Sequence, residues 1–358
     1  MKRKLQRTIA LCGLLLAAAC TPTVEEKPQS TASDMSASAR VWLLNEGSWG
    51  ANNASITRFD NRTGEVENDW FARCNGRGLG DLAQDMVAYG SKVYVTVSES
   101  GSLEVVDTAS GRSQRVDLGD RYPRYLAACE GKLYVSCYNP HSVIRIDTAS
   151  LEVEATCSLG DYNPEGMAVA GQWLMVASSN ASDSRGVYTY DSVLYAIDLA
   201  TFAQPQRIAV GCNPQRVAAL DDHRVVVNYW GDYGMRAPGS AVVDVTDMSV
   251  KQLNVAYSNF TIYKGQVYGY VTTYSPDYST KQTRYVRQDV ATLSATDLLA
   301  DDAVKGAYSI AVDPANGDLL IASDGDYVAT GTLYCFDQHG NPRWHHAVGM
   351  FPSRFVFI

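Results

Sequence analysis

One short pattern recurs seven times along this chain: a β-rich run that ends in aspartate. The copies read ITRFDN, LEVVDT, VIRIDT, LYAIDL, AVVDVT, YVRQDV and LYCFDQ, and their aspartates are Asp60, Asp107, Asp147, Asp198, Asp244, Asp289 and Asp337. Successive aspartates lie 47, 40, 51, 46, 45 and 48 residues apart. A near-fixed period of this size restricts the chain to repeat architectures, in which each copy is one unit that buries its faces against its neighbours. Upstream of most copies lies a second β run, such as KVYVTV (92–97), KLYVSC (132–137), WLMVAS (173–178), RVVVNY (224–229) and QVYGYV (266–271). Upstream again is a run led by proline: PRYLAA (123–128), PEGMAV (164–169) and PQRVAA (214–219). Each unit therefore offers about four strands, the content of a propeller blade. No stretch carries a long helical period. The pattern predicts an all-β fold, a seven-bladed β-propeller over residues 40–358. A two-sheet sandwich gives no reason for a fixed period.

The chain ends in FPSRFVFI (351–358), which matches the proline-led run, and the domain opens with ARVWLLN (39–45), which matches the second run. Residues 352–358 are thus expected to supply the innermost strand of blade one and to close the ring, leaving no blade edge orphaned. The repeated aspartates are read as turn formers, because a carboxylate there accepts from the backbone two residues on.

The first 39 residues stand apart from the repeat. Residues 2–7 are basic and 8–19 apolar, a secretory signal too short to span a membrane. Leu16-Ala17-Ala18-Ala19-Cys20 reads as a lipobox, with Cys20 lipidated, and residues 20–39 as a flexible tether. Glu25 and Glu26 fit a signal for export to the cell surface, so the expected location is the outer membrane, lipid-anchored and exposed. Without residues 1–19 the chain has 26 Lys and Arg against 39 Asp and Glu, a charge of −13. A body that acidic argues against nucleic acid as partner.

Propeller topology places the link into each inner strand and the loop between second and third strands on one face. The turns of the other face are short. The first face is rich in Tyr, Trp, Asn and Arg, and the chain has 22 Tyr against 8 Phe and 6 Trp. Its second-to-third loops bring Trp49, Asn52 and Asn53, then Tyr138, Asn139 and His141, then Tyr188 and Tyr190 in the long segment 178–190. They continue with Tyr229, Trp230 and Tyr233, then Tyr274 and Tyr278, then Tyr327. The links add Tyr122, Arg124, Asn163, Glu165, Gln215, Arg216, Tyr308 and Arg354. Aromatic rings with polar tips suit a binding surface, and these residues are the candidate ligand-binding set. Some of them are expected to plug the axial channel or pack blade on blade.

No catalytic set is expected. Of the five histidines only His141 falls on the rich face, and the chain has no HExxH, CxxC or nucleophile elbow. Propeller lactonases hold an axial metal with carboxylates and Asn, which Glu165, Asn163 and Asn213 could imitate, but polar residues in those links also satisfy backbone groups. No metal, cofactor or disulfide is expected.

The segments VWLLNEGSWGANNASITRFD, NGRGLGDLAQDM, YPRYLAACEGKLYVSCYN and NPEGMAV resemble the YncE-like propeller lipoproteins of Bacteroidetes, strongly in blades one to four and less in five to seven. Within that group the chain resembles the BtuG-type surface lipoproteins. The resemblance implies a cell-surface protein that binds cobalamin or another corrinoid and passes it to a TonB-dependent transporter of the BtuB type. The alternatives are a surface propeller that binds a glycan or a partner protein, and an exported lactonase-type hydrolase.

Overall fold

The computed structural model describes residues 38–61, 63–275 and 280–358. Its strands form seven four-stranded antiparallel sheets arranged as the blades of a ring. From blade one to blade seven the innermost strands are Pro352–Phe357, Ala83–Tyr89, Pro123–Cys129, Pro164–Ala170, Pro214–Ala219, Asn259–Tyr263 and Ala307–Val312.

The second strand of each blade is a nearly continuous apolar run because both of its faces are covered. Successive side chains of a strand point to opposite faces. In Arg40–Asn45, Val41 and Leu43 join the core shared with blade seven, while Trp42 and Leu44 join the core shared with blade two. Lys92–Val97 follows the same rule: Val93, Val95 and Val97 face blade one and Tyr94 faces blade three. Each blade junction carries one such core. The outermost strands are short and open, three residues in Glu65–Glu67 and Ala295–Asp297, which limits the unpaired edge each blade presents.

The ring closes as the sequence predicts. Pro352–Phe357 pairs antiparallel with Arg40–Asn45, with Val41 opposite Phe357 and Asn45 opposite Pro352. Arg40 and Ile358 exchange backbone hydrogen bonds of 3.2 and 2.9 Å. A short helix, Trp70–Asn75, lies in the seam between blades one and two, where Trp70 packs on Trp42 with ring centroids 4.2 Å apart.

Among the described residues, the repeat aspartates are seen accepting from backbone N–H groups of their turns in blades two to seven. Asp107 accepts from Ser110 N at 2.8 Å, Asp147 from Ala149 N at 3.0 Å, and Asp198, Asp244, Asp289 and Asp337 make the equivalent bonds. Asp60 meets Arg58 at 3.5 Å. The long segment 178–190 of blade four is strand more than loop: Trp173–Ser182 and Tyr188–Asp198 pair out to Ser182 and Tyr188. Blade six extends in the same way through Gln266–Tyr274 and Lys281–Asp289. The chain enters on the face of the short turns, where Ser38 Oγ donates to Asp313 at 2.7 Å.

Candidate functional site

The inner strands of six blades begin with a register shift. Pro123 pairs with Cys137 and Leu126 with Val135, so three steps on one strand meet two on the other; blades one, two, four, five and seven show comparable shifts. Such bulges re-aim side chains at the rim of a sheet. Here they fall at the mouth of the axis, on the residue types Gln84-Asp85, Arg124-Tyr125, Gln215-Arg216 and Ser353-Arg354. Hydroxyls from second strands satisfy the freed backbone groups: Ser136 Oγ accepts from Tyr125 N at 2.9 Å, and Ser98 Oγ donates to the Pro123 carbonyl. At Gly166 the neighbouring strand comes so close that a Cβ would lie 2.6 Å from the Gln215 carbonyl oxygen.

The result is a charged cluster across the axis. Arg354 of blade one meets Asp85 of blade two at 2.6 Å, and Asp85 also accepts from Leu126 N of blade three at 2.9 Å. Arg124 of blade three lies 3.7 Å from Glu165 of blade four, donates to Gln84, and stacks on Tyr138 with its guanidinium 4.6 Å from the ring centre. Glu165 further accepts from the Tyr138 hydroxyl and from Ser179 Oγ at 3.2 Å. The Tyr308 hydroxyl of blade seven donates to Glu46 at 3.0 Å.

Burial sets the electrostatics. It lifts the Glu46 carboxyl to about 7, against the opposing pull of Arg124 and of the Tyr308 hydroxyl. Burial alone would lower the Arg124 guanidinium, but Tyr138, Glu165, Tyr125 and Glu46 together hold it above its ordinary value. The Tyr138 and Tyr308 phenols are pushed well up, by burial first and by Glu165 and Glu46 respectively. Arg216 of blade five is driven down to about 9 by burial and then by the charge of Arg354 in blade one.

Around this cluster stands an apolar rim. The large apolar side chains most exposed among the described residues are Trp49, Tyr122, Val153, Val187, Tyr188, Trp230, Tyr233, Met235, Tyr274, Tyr327 and Val328. All but Val153, on an outer strand, lie on the face of the axial mouth. Tyr190 meets Tyr233 edge-on at 6.1 Å, and Tyr327 packs on Phe351 at 6.0 Å under the Lys281 ammonium.

The predicted set therefore divides. Arg124, Tyr138, Glu165, Arg216, Tyr308 and Arg354 meet at the axis, with Gln215 beside them, donating to Asn213 at 2.6 Å. Trp49, Asn52, Tyr122, Tyr188, Tyr190, Trp230, Tyr233, Tyr274 and Tyr327 stand on the rim. Others are engaged in holding loops: Asn53 accepts from Ser48 N at 2.8 Å, Asn139 donates to the Asp120 carbonyl at 2.9 Å, and Asn163 donates to Asn180 at 3.3 Å. The Tyr229 ring lies against Gly211 and Gly239, and its hydroxyl reaches Gln252 on the outermost strand at 2.6 Å. The His141 carbonyl accepts from Leu159, just past an outermost strand, at 3.0 Å, which sets that residue away from the axis. Tyr278 and Cys20 lie outside the described residues. Glu46, Asp85, Tyr125 and Tyr270 belong to the axial cluster and are not in the predicted set.

Two cavities lie on the opposite face. One of about 290 Å³ is lined by Arg40, Trp42, Arg58 and Trp70, and one of about 340 Å³ lies by Gly171 and Asp222. Neither adjoins the axial cluster. Among the described residues no group of three or more His, Cys, Asp or Glu is placed to hold a metal ion.

The family described as "Domain of unknown function (DUF5074)" matches residues 40–358, the whole ring. The chain belongs to this family. No curated protein matches it. Among solved structures this DUF5074 domain is similar to a quinonprotein alcohol dehydrogenase-like protein from Bacteroides thetaiotaomicron, at 14% identity and TM-score 0.62 over 88% of this chain and 77% of that one. It is also similar to a periplasmic gluconolactonase from Pseudomonas aeruginosa, at 15% identity and TM-score 0.58 over 89% and 99% of the two chains. A third is a putative 6-phosphogluconolactonase from Bacteroides fragilis, at 12% identity and TM-score 0.58 over 92% and 100%. At such identities the likeness is one of fold. The DUF5074 ring shares its architecture with these proteins, and the residues at its mouth have to be read from their own chemistry.

Proposed function

We propose that this DUF5074 protein is a cell-surface lipoprotein that binds a corrinoid of the cobalamin type on its aromatic face, without transforming it. It then passes the ligand to a TonB-dependent outer-membrane transporter of the BtuB type. The observation that carries the reading is the concentration of exposed large apolar side chains on one face, around a polar axial mouth. Exposed aromatics cost solubility, and a fold alone gives no reason to gather them there. A corrinoid is a broad ring fringed by amides. Tyr and Trp can cover its apolar parts, while Asn, Gln, Tyr and Arg can pair with its amides. A wide, shallow face suits a ligand of that breadth. Anchorage through Cys20 is consistent with the chain entering on the opposite face at Ser38, which leaves the aromatic face turned away from the tether.

The test is calorimetric titration of cyanocobalamin into wild-type protein and Trp230→Ala. Trp230 is 42% exposed and lies outside the strands, so the fold should survive its truncation. Losing a central aromatic anchor costs ~2 kcal/mol or more, a weakening of roughly thirtyfold. Wild-type protein that binds no corrinoid at micromolar concentration refutes the reading, and a glycan or partner protein then takes the ligand's place. For location, Cys20→Ala should leave the protein released from the envelope or misplaced within it, and a variant still anchored at the surface removes the lipobox.

A further inference from the structure

Three guanidinium groups converge on the axis, and only two have a protein carboxylate. Arg354 holds Asp85 and Arg124 holds Glu165. The Arg216 backbone N–H donates to Asn228 Oδ1 at 2.9 Å, but its guanidinium makes no hydrogen bond and no ion pair with any described residue, and its Nε is sealed from solvent with no partner. It lies over the Phe260 ring, 5.9 Å from the centroid, which satisfies none of its N–H donors. The remaining carboxyl of the cluster, Glu46, is held by Tyr308 and is not among the charges that act most on Arg216. Those are Arg354, Asp85, Tyr125 and Tyr270, contributed by blades one, two, three and six. The Tyr270 hydroxyl is committed to the Tyr308 carbonyl at 2.8 Å, whereas the Tyr125 hydroxyl is bonded to no described residue.

A guanidinium whose Nε is buried without a partner is costly to hold, since a buried donor left unbonded keeps its desolvation penalty. A planar guanidinium with free donors is shaped to take a carboxylate or phosphate in two-pronged fashion. We infer that the axial mouth is a built site for one oxyanion, with Arg216 as its principal ligand and the Tyr125 hydroxyl as a second donor. The shared chemistry is that of a carboxylate or phosphate group carried by the bound molecule. The inference stands without the corrinoid reading, but it refines it: a cobalamin carries one phosphodiester, whereas a cobinamide carries none.

The first arm uses inorganic phosphate on the full chain, with ionic strength held by sodium chloride. At phosphate about tenfold above its Kd, wild-type protein should melt about 2 °C higher, and Arg216→Met should show no shift. Without phosphate, Arg216→Met should melt at or above the wild type, because a buried donor left unbonded has gone. A wild type unmoved by phosphate, or an Arg216→Met that melts lower on its own, overturns the site. The second arm compares cyanocobalamin with dicyanocobinamide. Wild-type protein should prefer the cobalamin at least about tenfold, the scale of one well-formed ionic contact, and Arg216→Met should lose that preference while keeping its affinity for the cobinamide. If neither corrinoid binds but phosphate does, the corrinoid reading fails and the oxyanion site stands. If both bind and Arg216→Met changes neither, the oxyanion site fails and the corrinoid reading stands.

Discussion

Replacing Asp85 by alanine removes a carboxylate that ties three blades together. Asp85 is 1% exposed and sits on the inner strand of blade two. It pairs with Arg354 of the closing strand at 2.6 Å and accepts from Leu126 N of blade three at 2.9 Å. Asp85→Ala leaves the Arg354 guanidinium without its carboxylate and next to a second cation, Arg216, and it orphans the Leu126 backbone donor. Breaking a buried pair by removing one partner costs about 3–5 kcal/mol. Unfolding entropy is about 2.1 cal/mol/K per residue, or about 0.7 kcal/mol/K for a ring of this size, so the variant should melt about 4–7 °C below wild type. Arg73→Ala is the control. It breaks an ion pair with Glu67 in which the arginine is 62% exposed, and surface pairs are worth under about 1 kcal/mol. A double variant, Asp85→Ala with Arg354→Met, removes the stranded charge and should regain a good part of the loss. The assay is thermal unfolding by circular dichroism on all four proteins. If Asp85→Ala melts within about 1 °C of wild type, or the second substitution adds to the damage, the buried pair is not what joins the blades.

A chain truncated after Met350 lacks the inner strand of blade one, and its second strand loses the partner that covers Val41 to Leu44. It should be insoluble or far less stable, and a truncated protein that melts like the full chain refutes the closure. Glu46 gives a pH test. Its carboxyl is raised from 4.5 to about 7, so the folded state binds that proton more tightly than the unfolded chain does. The stabilisation is complete below about pH 4.5 and is lost as pH rises through about 7, an interval worth about 3 kcal/mol. Urea midpoints across that window should fall less steeply for Glu46→Gln than for wild type, and parallel curves refute the assignment.

The fold was legible because its signals are redundant. The aspartates mark the turns, the apolar second strands reveal blades covered on both sides, and the last residues repeat the proline-led motif. The mouth was legible only in part. Blade two begins its inner strand with Ala83 where four others have proline, so a proline-led template passes over Asp85. Bulges are not written in side-chain alternation, and without them Tyr125 reads as the blade-facing neighbour of Arg124. Tyr229 misleads in the opposite sense. Its loop belongs to the aromatic face, but Gly211 and Gly239 make a bed for its ring and turn it toward the outer edge. Segment 178–190 resembles a loop because both sides of a hairpin that overhangs its blade meet water, so the apolar runs that mark strands elsewhere are missing.

The seam between first and last strands also decides how the ring bears a mechanical load. Arg40 lies beside Ile358 and the strands run antiparallel, so both ends of the ring leave from the same end of one pair. A pull applied across those ends works on the hydrogen bonds one after another, beginning with the Arg40–Ile358 exchange, and peels Pro352–Phe357 away like a zip. A pull between residue 38 and the aromatic rim runs along the strands instead, and the whole ladder resists it together. In an optical trap the first geometry should open at a markedly lower force than the second. The same ring is therefore stiff toward a ligand tugging at its mouth and compliant toward tension between its own ends.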